Sequence, residues 1–333
     1  MSMRILNRVL IRFAAVAVAT SLGGCASIGS APSGVPAAPI ADHHQHLFSE
    51  PLRELSAGMP APISAADLVA MLDKAGIERA LVLSTAYMYG KPGRKVDDEY
   101  AKVRAENDWT AAQAALYPHR IKAMCGVNPL KEYALAELER CSRAPGFARG
   151  MKLHFGNSDV QLDDPAHLAQ MKAFFKAANN HGMALVMHTR ASISLKRPYG
   201  AAQARILLDE LIPMAPDVVL QIAHLAGSGP GYVDAPAQEV LAVLAEAFAS
   251  GDPRLRKVYV DVASNADRHI TPENAARMAA RIRQIGVTHV LYGSDAATSN
   301  NLPPAEAWQA FRKLPLTDAE FAVIARNVAP YLR

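Results

Sequence analysis

The chain has 333 residues, half of them hydrophobic and 6% aromatic, which is enough apolar material for one large domain or two small ones and excludes disorder as the main state. Its formal charge of +4 belongs to the first segment: removing residues 1–24 takes away Arg4, Arg8 and Arg12 and no acid, leaving +1. A nearly neutral remainder with no basic run or aromatic-interleaved patch gives no electrostatic footprint for nucleic acid.

The opening stretch MSMRILNRVLIRFAAVAVATSLGGCAS joins those arginines to an apolar run from Phe13 to Leu22 and then to small residues. That is the pattern of a secretory signal peptide over 1–24, too short for a comfortable membrane span. LGGC at Leu22 to Cys25 resembles the lipobox of bacterial lipoproteins. The likeness implies lipidation of Cys25 and anchoring on the periplasmic side, at the outer rather than the inner membrane because Ala26 follows. Residues 25–39, rich in Ala, Gly, Ser and Pro and without charge, read as a flexible tether to a domain over 40–333. Cys125 and Cys141 are the other cysteines. Export would permit them to pair, but a domain of this size needs no staple, and the expectation is two unpaired, packed cysteines.

From Ile40 onward short apolar runs alternate with longer amphipathic ones. PIADHHQHL (39–47), RALVLST (79–85), RIKAMCGV (120–127), ARGMKLHF (148–155), MALVMHT (183–189), DVVLQIAHL (217–225), KVYVDVA (257–263) and THVLYGSDA (288–296) read as eight strands. Helix-like segments follow them at 64–75, 97–116, 131–142, 165–181, 201–214, 236–249, 272–285 and 305–313, several opened by Ser, Asp or Thr at a candidate N-cap. Strict alternation implies parallel strands with crossover helices, and eight such units point to a (β/α)₈ TIM barrel.

The polar residues choose the closed barrel over an open sheet. His188 and His224 are 36 residues apart, Asp295 lies 71 beyond His224, and His188 lies 142 beyond His46. Those gaps are about one, two and four units of roughly 35 residues, the size of a βα module. Each residue therefore stands at the C-terminal end of its apolar run, and in a barrel those ends share one mouth. Strand alternation puts Asp42, His44 and His46 on one face and His43 and Gln45 on the other, and turns Ala184, Val186 and His188 inward. Two imidazoles at i and i+2 can reach one ion.

DHHQH in strand one, MHT in strand five, IAHLAG in strand six and YGSDA in strand eight, in that order and spacing, resemble the amidohydrolase superfamily. The nearer likeness is to its amidohydrolase-related branch, which includes aminocarboxymuconate-semialdehyde decarboxylase and pyrone-dicarboxylate lactonase; NVAPYL resembles the closing helix of that branch. The resemblance spans roughly residues 38–333. It implies His44, His46, His188 and Asp295 as ligands of one divalent metal, Zn²⁺ in the first instance, with His224 beside it. Such an ion lowers the pKa of a bound water; Asp295 can take its proton, and His224 can polarise a carbonyl or protonate a leaving group.

Lys152 stands in GMKLHF on the inner face of strand four with His154. In binuclear relatives a strand-four lysine is carboxylated and bridges two ions; the alternative is a lysine facing substrate, and His154 reads as a substrate contact or a support for the site. The loop after strand five carries Arg190, Lys196 and Arg197 over the expected mouth. Cations gathered beside a metal favour a small carboxylate-bearing substrate over a neutral or cationic one, with Arg190 as its contact; the alternative is a loop that points into solvent, its charges screened. The expected activity is metal-dependent hydrolysis of a lactone, ester or amide. Two alternatives stand beside it: non-oxidative decarboxylation, which the same ligand set supports, and a lipoprotein that binds without turnover, against which the intact set of five polar residues argues. Substrate identity and oligomeric state are not legible.

Overall fold

The computed structural model describes residues 36–55, 61–297 and 301–333. The signal peptide read over 1–24, Cys25 and most of the tether lie outside them. Eight strands run in chain order: β1 (Ala41–Gln45), β2 (Arg79–Leu83), β3 (Ile121–Gly126), β4 (Phe147–His154), β5 (Ala184–His188), β6 (Leu220–Ile222), β7 (Val258–Asp261) and β8 (Val290–Leu291). Each pairs in parallel with the next. Beyond β8 the ring is joined to β1 by His43 N–H to Tyr292 O at 2.9 Å and Asp295 N–H to His44 O at 2.8 Å. The fold is the (β/α)₈ barrel that the alternation implies.

The crossover helices start where capping chemistry stands. Ser64 opens Ala65–Ala75 with a capping box completed by Asp67, and Gly76 ends it in the left-handed region at φ 70°. Asp164 caps Pro165–Asn180, and Thr271 caps Pro272–Ile285. The helix expected over 201–214 is α-helical only at Ala201–Ile206. It widens into a π turn at Leu207–Leu211 and tightens into a 3₁₀ turn at Ile212–Met214, where Pro213 has no N–H to give. Strand six is shorter than its apolar run because His224, Leu225 and Ala226 adopt positive φ immediately after it.

Ala184 and Val186 point inward, where they meet Ala41, Leu81, Leu83, Met124 and Leu332, whereas Met183, Leu185 and Met187 pack outward against the helices. Leu332 belongs to the turn Pro330–Leu332, which with the partly buried Val328 and Tyr331 closes the floor of the barrel. Removing this apolar surface from water is the main term holding strands and helices together.

The two cysteines expected to be unpaired form a disulfide: Cys125 and Cys141 are joined, with Cα atoms 6.4 Å apart. Cys125 is an outward residue of β3 and Cys141 lies on Ala134–Arg143, the helix that crosses over from β3. A right-handed crossover lays that helix on its own strand, so residues 16 apart in sequence meet face to face.

Candidate metal centre

The mouth is built from the ends of β1, β4, β5, β6, β7 and the segment after β8. In β1 the pairing register shifts between Asp42 and Gln45, so strict alternation fails. Asp42 does not share a face with His44 and His46. Its Oδ2 accepts from Gln45 Nε2 at 2.8 Å and Ser294 Oγ at 2.6 Å, and its Oδ1 from the backbone N–H of His44 and Ser294, each at 3.1 Å. Burial pushes this carboxyl up to about 6 against those hydrogen bonds. His43 is also fully buried: its Nδ1 donates to Tyr292 O at 2.9 Å and its Nε2 accepts from Ala329 N–H at 3.1 Å.

Three further histidines use Nδ1–H as a backbone or carboxylate donor, and in these it leaves Nε2 for a ligand. His44 Nδ1 donates to Asp261 Oδ2 at 3.0 Å, His46 Nδ1 to Leu83 O at 2.7 Å and His224 Nδ1 to Ala263 O at 3.0 Å. Nε2 of His44 lies 3.1 Å from Lys152 Nζ, and Nε2 of His46 lies 3.6 Å from Asp295 Oδ1. Rings of His44 and His224 are 4.4 Å apart at their centroids, and those of His188 and His224 5.1 Å. Behind His44, a Cβ on Gly293 would stand 2.9 Å from the Cβ of that histidine, so only glycine lets the two segments approach this closely.

Burial, helped by the Lys152 charge, pushes His44 and His46 down to about 3, and burial holds His188 and His154 well below the ordinary imidazole value. The rings are therefore neutral, the form that binds metal. Burial also lowers Lys152, to about 8, against the attraction of Asp295 and Asp261. One ligand atom each from His44, His224 and Asp295 lies within 4.8 Å of the others, all three residues buried. This imidazole and carboxylate set fits a divalent cation. His46 joins it through Asp295 and His188 through His224, so all five polar residues singled out in the sequence meet at one place.

Sequence reasoning passed over Asp261, although it ends the apolar run of β7 just as His224 ends that of β6. Its Oδ2 accepts from His44 Nδ1 and from Gln221 Nε2 at 2.6 Å; its Oδ1 accepts from the N–H of His224 at 2.8 Å and of Ala263 at 3.1 Å. Burial alone would raise this carboxyl, but His44, His224 and these bonds bring it well below the ordinary carboxylate range. Asp261 thus orients the ring of one histidine and the backbone of another. His224 at φ 54°, Ser264 at φ 55° and Asp295 at φ 53° all sit in left-handed backbone at the strand ends.

A cleft of about 400 Å³ opens over His154 and His188, lined also by Lys91, Asn157, Arg190 and Ser192. His154 stacks on His188 at 3.9 Å, and its Nδ1 accepts from Asn157 N–H at 3.2 Å, so the proton of its neutral ring sits on Nε2. The loop cations are answered within the protein. Arg190 donates to Asp234 Oδ2 at 2.6 Å and lies over the Tyr199 ring; Arg197 makes a two-bond pair with Asp159. Lys196 is exposed, at φ 52°.

A comparison with curated proteins returns no match. Solved structures share the architecture. 5-Carboxyvanillate decarboxylase from Sphingomonas paucimobilis is 17% identical with a TM-score of 0.58, covering 86% of this chain and 96% of its own. Dihydroxybenzoic acid decarboxylase from Polaromonas sp. JS666, solved with manganese and 2-nitroresorcinol, is 16% identical with a TM-score of 0.57, over 87% and 95%. A probable 2-pyrone-4,6-dicarboxylic acid hydrolase from Acinetobacter baumannii, with citric acid bound, is 17% identical with a TM-score of 0.56, over 86% and 96%. At these identities the likeness carries the fold alone. The family model described as "Amidohydrolase" matches residues 41–329, nearly the whole barrel including every histidine and carboxylate of the centre, and the chain belongs to that family.

Proposed function

We propose that the protein is a divalent-metal-dependent hydrolase, with zinc as its ion, that opens a lactone, ester or amide bond in a small carboxylate-bearing molecule, and that Cys25 anchors it by lipid on the periplasmic side. His44, His46, His188 and Asp295 would hold one ion. That ion supplies Lewis acidity to a carbonyl oxygen and acidity to water. Asp295 is the carboxylate placed to take a proton, and His224, its Nδ1–H held by Ala263 O, is the imidazole placed to exchange one with the leaving group. His154 offers its Nε2–H to a substrate oxygen, and Lys91 stands on the cleft wall as a counter-charge for a carboxylate, with Arg190 beside it already paired to Asp234.

The observation that carries the hydrolytic reading is the character of the cleft. Ser192, Ser194, Ser228 and Asn157 line it among Pro92, Ile193 and Leu195, so polar groups able to hold water stand beside His188 in a cleft whose remaining wall is apolar. Non-oxidative decarboxylation is the second reading. It is favoured by Lys152, a buried amine 3.1 Å from His44 Nε2 that could deliver a proton to carbon. The test is metal analysis of the purified protein with a screen of lactones, amides and aromatic carboxylates in ¹⁸O-water. Label in the product acid supports hydrolysis; carbon dioxide release without label overturns it in favour of the second reading.

A further inference from the structure

The floor of the barrel and its mouth are joined by one line of hydrogen bonds through the interior. Tyr331, in the turn Pro330–Leu332, donates its hydroxyl to Gln221 Oε1. Gln221 is fully buried in β6 and donates Nε2–H to Asp261 Oδ2 at 2.6 Å; the same oxygen receives His44 Nδ1–H at 3.0 Å. A second strap runs alongside: Ala329 N–H bonds His43 Nε2, and Gln221 Nε2 also reaches His43 O at 3.3 Å. The residue next to His44 is therefore gripped from the same segment.

Gln221 can serve Asp261 only with its amide one way round. Were the group turned over, its carbonyl oxygen would face the carboxylate and its NH₂ the phenol. The Tyr331 hydroxyl, as a donor to Oε1, selects the productive orientation. Asp261 in turn fixes the proton of His44 on Nδ1 and frees Nε2. We propose that Tyr331 is a positioning residue for the metal centre, acting on His44 through Gln221 and Asp261, so that the segment closing the floor also sets the ligand state at the mouth. The inference rests on the metal-dependent reading above.

The test is Tyr331→Phe in the full chain, which keeps the ring and removes the hydroxyl. Zinc affinity is read by competition with a chromophoric chelator, and the His44 Nδ1 proton by NMR of the metal-free protein. The expected result is a loss of zinc affinity of about tenfold, at the low end of what partners behind a ligand contribute, with faster solvent exchange of that proton. Gln221→Leu should do the same, and the double variant should be no worse than either single one. Unchanged affinity and exchange in Tyr331→Phe, or fully additive losses in the double variant, would overturn the proposal. If Tyr331→Phe melts too low to study, Gln221→Asn shortens the same link with the phenol intact and is judged by the same criteria. Wild type that binds no zinc refutes the metal reading instead, and proton exchange then decides the relay by itself.

Discussion

Replacing Asp261 by Asn tests how the centre is ordered. The carboxylate takes four donors, two on each oxygen. An amide of the same shape can still accept the N–H groups of His224 and Ala263 on its oxygen, so the backbone at the mouth should hold. Its NH₂ would then face two further donors, His44 Nδ1–H and Gln221 Nε2–H. The cheapest relief moves the His44 proton to Nε2, the atom a metal needs bare. Loss of a charge-assisted hydrogen bond in a buried site is worth about 1.5–3 kcal/mol, or roughly 10- to 150-fold in an equilibrium constant. Zinc affinity should therefore fall by about 10–100-fold, and the thermal midpoint of the metal-free protein should drop by several degrees as well, because the bonds lost from His44 and Gln221 exist without the ion. The assay is chelator competition at fixed pH and ionic strength, paired with a metal-free melt. An Asn variant with wild-type zinc affinity would refute the tautomer argument, and one that loses its fold would show Asp261 to be structural first.

Four further outcomes are expected. On the proposed reading, in which the His224 ring exchanges a proton and does not hold the ion, His224→Asn should keep most of the metal and lose turnover; loss of about half the metal would mean two ions and direct attention to Lys152. Burial depresses His43 to about 4 and His44 and His46 to about 3, so the stability they contribute is full above the unfolded imidazole value of about 6.5 and is lost as pH falls towards those values. Asp42, raised to about 6, works the other way over a narrower range and is outnumbered; the metal-free melting temperature should drop from pH 7 to pH 5, and a flat profile would contradict the burial argument. Cys141→Ser should cost about 3 kcal/mol in a denaturant titration, the entropy of a loop of this size, with metal content unchanged. Cys25→Ser should abolish incorporation of labelled fatty acid, and labelling as strong as wild type would remove the anchor.

The barrel was readable because eight apolar runs and the recurrence of polar residues at their ends both follow from one repeated βα unit. His44, His46, His188, His224 and Asp295 come from that register, and the structure gathers them. Strict alternation misplaced Asp42 because a register shift is set by the neighbouring strand and leaves no trace in DHHQH itself. Cys125 and Cys141 pair through a crossover packing that spacing alone does not reveal. The loop arginines were read as free charge, since their partners Asp159 and Asp234 lie 38 and 44 residues away and only the fold brings them close. Asp261 had the right signal, a carboxylate ending an apolar strand, and was passed over.

Three side chains at the mouth, His224, Ser264 and Asp295, stand on backbone that L-residues enter at a cost of about 1–2 kcal/mol each. Glycine would occupy those positions more comfortably and would erase the imidazole, hydroxyl or carboxylate. Selection for heat resistance alone would therefore push these positions towards residues that cannot do chemistry. An engineer raising the melting temperature should leave all three untouched and seek the gain on the helices, where a stabilising substitution does not compete with the site.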